Sequence, residues 1–106
     1  MSNYIYPFTD LQSVQILWRK HALQRMLERS ISRAEVKEAI IKGTIIEAYL
    51  EDSPNPSCLI AFINTHKPLH VVVAHDKDAD SLYVITAYEP DAIHFEEDLM
   101  TRRTHG

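Results

Sequence analysis

The chain has 106 residues, 45% hydrophobic and 25% charged, with a formal net charge of −4. That length carries one domain with a single core and is too short for two. Its longest apolar runs, "VVVA" and "LIAFI", are too short to span a bilayer, and a single cysteine, Cys58, excludes an intrachain disulfide.

Residues 1–12 read as a flexible N-terminus in which Asp10 precedes any basic residue, so no secretory leader and no membrane contact are expected. The expected compartment is the cytoplasm. Charge is uneven along the chain. Residues 1–43 hold seven Lys/Arg against four Asp/Glu, whereas residues 44–106 hold four against eleven. Within 18–33, Arg19, Lys20, Arg25, Arg29 and Arg33 face only Glu28, a local basic excess suited to a polyanion. The plain alternative is a solvated helix face in an acidic protein.

Residues 21–29 carry Leu23, Met26 and Leu27 at helical spacing, and His21, Arg25 and Arg29 form a second row beside that stripe. "SISRAEV" then supplies a helix start. Ser32 with Glu35 makes a capping box, and Ile31 is placed to pack on Val36 as a hydrophobic staple. The second helix is predicted over 33–42, burying Val36, Ala39 and Ile40 and closing on Gly43 in the left-handed conformation. From there the texture is that of strands: 44–50, 58–64, 69–76 and 82–89. "EDSPNPS" breaks the first two apart, and "THKP" and "KDADS" are hairpin-length loops. Residues 90–100 read as a final acidic helix or a tail within 91–106. The expected fold is α+β, one domain over 1–106, with two N-terminal helices packed on a four-stranded antiparallel sheet. Its core is expected to contain Leu23, Met26, Leu27, Val36, Ile40, Ile60, Val71, Val73, Val84 and Ile85.

Several constellations have dull readings that outweigh the chemical ones. "DKDAD" lacks the glycine and glutamate of a calcium loop and reads as an Asp-rich turn. His66, His70 and His75 have ligand-like spacing, but strand alternation sends 70 and 75 to opposite faces, so no metal and no cofactor are expected. Cys58 lies in an apolar run, the setting of a small buried side chain rather than a nucleophile. His70 is more suggestive, because a polar group in a central strand needs a hydrogen-bond partner. If the last hairpin pairs 70 with 88 and 72 with 86, His70 lies opposite Tyr88 with Thr86 beside it. A structural pair and a functional pair both fit.

"HALQRMLERSIS", Gly43, "PLHVVVAHD" and "VITAYEPD" together resemble the bacterial domain-of-unknown-function family 4258 over about residues 18–91. That family looks related to the RelE/ParE-like toxins, small proteins with two helices on an antiparallel sheet. The resemblance implies an RNase-like toxin of a toxin–antitoxin pair, cleaving RNA without metal. Its implied partners are RNA and a cognate antitoxin of the zinc-ribbon/helix-turn-helix type. Such cleavage needs proton transfer and cations on the phosphate. His21, Arg25, His70 and Tyr88 are the residue types for it, with Arg19, Lys20, Arg29 and Thr86 as RNA contacts. The rival readings are a non-catalytic protein-binding module on the same fold and an accessory subunit of a DNA-modifying system.

Overall fold

The computed structural model describes residues 14–63 and 67–103. Its elements run β1 (Gln15–Trp18), α1 (Lys20–Glu28), α2 (Arg33–Lys42), β2 (Thr44–Tyr49), β3 (Ser57–Phe62), β4 (Leu69–Asp76) and β5 (Ser81–Tyr88). The protein is α+β, with two helices against one sheet of order β1-β5-β4-β3-β2. β2 to β5 form the expected antiparallel meander. Among the described residues the expected count of four strands is corrected to five, because β1 pairs in parallel with β5. A four-residue strand whose partner lies at the far end of the chain leaves little local signal. The expected flexible N-terminus, 1–12, lies outside the described residues.

The turn between the helices follows the sequence closely. Ser30 takes a positive φ of 59°. Around it Ile31 N–H donates to Met26 C=O at 2.8 Å and Ser30 N–H to Leu27 C=O at 3.2 Å, the two bonds of a Schellman end. Ser32 and Glu35 then form the capping box, with bonds of 2.8 and 3.1 Å. Lys67 Nζ fastens this corner, donating to Ser30 C=O at 2.7 Å and to the Glu35 carboxylate. Ser32 and Lys67 hold that carboxylate below its usual range.

The core unites Ala22, Met26, Ile31, Val36, Ala39 and Ile40 with the sheet residues Cys58, Ile60, Val71, Val73, Leu82, Val84 and Ala87. Leu23 packs at its margin, but Leu27 is 81% exposed, against expectation. Ala22–Met26 and Leu23–Leu27 have the same helical spacing, and the helix turns the smaller pair inward. Ile85 is also exposed rather than buried. Ile85 directly follows the inward Val84, and successive strand residues face opposite ways. A bulge then falls at this point, since Val72 pairs with Thr86 and Val73 with Val84, leaving Ile85 as the extra residue of β5.

On the sheet face away from the helices, residues 90–103 fold back as an irregular strap instead of an acidic helix. Two aspartates stabilise its turns. Asp91 Oδ1 accepts from the N–H groups of Ile93 and His94, and Asp98 Oδ1 from those of Met100 and Thr101, all at 2.9 Å. Phe95 pairs with Arg102, and the Arg102 guanidinium grips the Glu47 carboxylate with two bonds of 2.9 and 3.0 Å.

Gly43 is not left-handed, its φ being −79°. It is glycine because of crowding: a Cβ there meets Ala39 O at 2.4 Å, Ile60 Cγ2 at 2.7 Å and Ala61 O at 2.8 Å. Gly43→Ala should destabilise the fold by about 3 kcal/mol, the upper part of the overpacking range, read as a lowered urea midpoint with unchanged slope. Wild-type stability in this variant would show that α2 and β3 separate freely.

Candidate nucleic-acid interface

β1 covers only Ser81–Val84 of β5. Beside the remaining half, Ile85–Tyr88, the described residues place α1 rather than a strand. Arg29 Nη1 donates to Ala87 C=O at 2.9 Å and to Thr86 Oγ1 at 3.3 Å, satisfying part of that bare edge. With Ala22 and Met26 in the core, the neighbouring row His21–Arg25–Arg29 runs along the rim.

Three adjoining depressions follow this rim. His21, Gln24 and Arg25 share one of about 350 Å³ with Ile85 and Thr86. Beyond it Arg29, Tyr88, His94 and Arg102 border another of about 490 Å³, which also takes in Glu89 and Asp91. At the start of α1, Arg19, Lys20 and His21 form one wall of a groove of about 560 Å³, with the loop after β2 as its other wall. Seven of the eight residues read from the sequence therefore line the rim. Among the described residues Arg25 is tied only to Glu28, in an exposed pair at 3.7 Å. Arg19 stacks over the Tyr83 ring at 4.7 Å.

His70 is the eighth, and it is not on the surface. The expected register holds, with His70 opposite Tyr88 and Val72 opposite Thr86. The strap then covers the imidazole completely. Nε2 lies 2.6 Å from Leu99 C=O, Nδ1 lies 3.3 Å from Tyr88 Oη, and the Phe95 ring meets it edge-on at 4.6 Å. A carbonyl only accepts, so Nε2 carries the proton, and in the neutral ring Nδ1 accepts from the Tyr88 hydroxyl. Burial lowers the His70 pKa, and burial also raises that of Tyr88. His70 thus reaches the rim only through Tyr88, a positioning contact rather than an open proton-transfer group.

The sequence reading missed the partners that enclose His70. Arg102 holds Glu47 below the usual carboxylate range, and burial together with Glu47 pushes the Tyr49 phenol up to about 12. Local spacing carries no trace of a pair formed between β2 and the strap. The polar groups of "EDSPNPS" were legible as a chain break and not as a groove wall. Cys58 is fully buried, and that burial pushes its thiol up to about 12, so it is no nucleophile at neutral pH. His66 lies outside the described residues.

Because the folded His70 imidazole resists protonation, the unfolded chain gains the extra proton as pH falls through its ordinary value of 6.5. Stability should therefore decline from about pH 7.5 to about pH 5.5, before the carboxylates titrate. His70→Gln, which keeps a donor for Leu99, should flatten the slope of urea midpoint against pH. An identical slope in wild type and variant would contradict a neutral, strap-covered imidazole.

No helix of the described residues is long and apolar enough to cross a membrane. No curated protein and no solved structure matches this chain significantly. Residues 18–89, which hold α1, α2, β2 to β5 and most of the rim, match the family model described as Domain of unknown function (DUF4258). With most of its length matched, the chain belongs to the DUF4258 family.

Proposed function

We propose that the protein binds single-stranded RNA along the α1–β5 rim and cleaves it with its own side chains, as the cytoplasmic RNase-like toxin of a toxin–antitoxin pair. The observation that carries this reading is the His21–Arg25–Arg29 row beside the bare half of β5, with Thr86 and Tyr88 below it. From residue 21 to 29 a helix rises about 12 Å, enough for about three phosphates at the stacked rise of a single strand. The two helices and the meander β2 to β5 support a RelE-like fold, to which β1 is an addition.

In this reading His21 takes the 2′-hydroxyl proton, and the 2′-oxygen attacks the adjacent phosphorus. The 5′-oxygen of the next nucleotide leaves with a proton from water, giving a 2′,3′-cyclic phosphate. Arg25 stabilises the charge that develops on the phosphorus oxygens. Tyr88, held by His70, and Arg29 bind the strand further along.

A non-catalytic protein-binding module is the second reading, favoured by Leu27, an apolar side chain 81% exposed on α1. Cleavage and growth distinguish the two. Arg25→Ala should weaken RNA binding by about 1.5–3 kcal/mol, the range of a charged hydrogen bond. Folding should be nearly unaffected, since an exposed pair such as Arg25–Glu28 contributes little. Induced wild type should slow growth, and His21→Ala should relieve it. Equal growth of wild type, variant and uninduced cells, with no RNA bound by the purified protein, would favour the binding module.

A further inference from the structure

The groove at the start of α1 adjoins the rim but is built to a different plan. One wall is basic, with Arg19, Lys20 and His21; the other carries Asp52 and Asn55. That second wall is fastened to the sheet. Asp52 N–H donates to Tyr49 C=O at 3.2 Å, and His75 N–H donates to Pro56 C=O at 2.9 Å. Ser57, only 2% exposed, donates its hydroxyl to Asp52 Oδ2 at 2.5 Å. Ala74 and Ile85 supply apolar lining. A volume of about 560 Å³ is in the range of small-molecule sites.

We infer that this groove is a guanosine-nucleotide subsite of the RNA-binding rim, in which Asp52 reads the base. The inference rests on the RNA reading proposed above and adds base preference to it. A nucleotide is itself polarised, with an anionic phosphate at one end and hydrogen-bond donors on the base at the other, and the groove has complementary ends. His21 and Ile85 line both this groove and the neighbouring rim depression, so a base held here brings its phosphate to His21 and Arg25.

Asp52 sets the choice of base. An ionised carboxylate only accepts, through two lone pairs on each oxygen, so the Ser57 bond leaves room for two more donors. Guanine offers N1–H and N2–H side by side on its pairing edge. Adenine and cytosine place a bare ring nitrogen beside their amino group, and uracil flanks one N–H with two carbonyls. Those acceptors face the carboxylate repulsively. Single-stranded RNA presents this edge unpaired, and a polar site discriminates strongly against a ligand that leaves its groups unmatched.

The test titrates the full chain with the 3′-monophosphates of guanosine, adenosine, cytidine and uridine by calorimetry, and with an oligoribonucleotide of mixed sequence. Guanosine monophosphate should bind about tenfold more tightly than the other three. Asp52→Asn, whose amide oxygen still accepts from Ser57, should lose about tenfold for guanosine and stay near wild type for adenosine. The wild-type ranking decides the matter even if that variant folds poorly. Equal affinity for all four nucleotides, or guanosine affinity unchanged in a folded Asp52→Asn, would overturn the subsite while oligoribonucleotide binding left the RNA reading standing. Guanosine binding without oligoribonucleotide binding would retain the subsite and sink the RNA reading. Binding of neither would overturn both.

Discussion

The extra residue that β5 carries opposite Val72 and Val73 joins the core to the rim. Before it, Leu82 and Val84 point to the helices; after it, Ala87 does. Unbroken alternation would send Thr86 inward and Ala87 outward, because the side-chain period of a strand is two. The bulge instead keeps the threonine hydroxyl out of the core, while Ile85 faces outward with or without it. The sheet is thereby sealed with a small residue on the side where Ala22 and Met26 are buried. The rim's geometry follows from that seating, since His21 and Arg25 each precede one of these inward residues by one position.

Much of this was legible because the signals were local. The α2 start needs only Ser32 and Glu35, three apart, and the hairpin register needs only a short loop between two alternating runs. Both are interactions within a few residues, so the sequence displays both partners together. The misreadings at β1, α1 and Gly43 involve distant partners. β1 is defined by β5, the inward choice of Ala22 over Leu23 by the surface beneath α1, and the shape at Gly43 by atoms of β3. Gly43 ends α2 as the sequence implies, and the cause is proximity rather than a left-handed conformation.

The site divides in the same way. Helical periodicity put His21, Arg25 and Arg29 in one row, and register put Tyr88 opposite His70. What no spacing disclosed is depth. His70 lies in a central strand in either account, and only the strap decides whether it meets solvent. Phe95 and Leu99 belong to a stretch whose acidic composition reads as a final helix or a tail. In the structure its carboxylates cap turns while its few apolar groups cover the imidazole. The polar and apolar residues of that stretch follow no helical period because they serve an irregular path.

The parallel pairing of β1 with β5 has a consequence for the order of assembly. Gln15 gains its strand partner only once Ser81 exists, so the first of the described strands pairs with the last of them. Such a contact is among the longest-range in the molecule, and contacts of high sequence separation form slowly against loop-closure entropy. On the ribosome, the α1–α2 corner and its capping box can form while β1 still waits, because domains are built as their parts emerge. The rim needs β5 as well as α1. It is therefore completed only once β5 has emerged, so the growing chain carries its basic row through the making of α2 and β2 to β4 before that row has an edge to line.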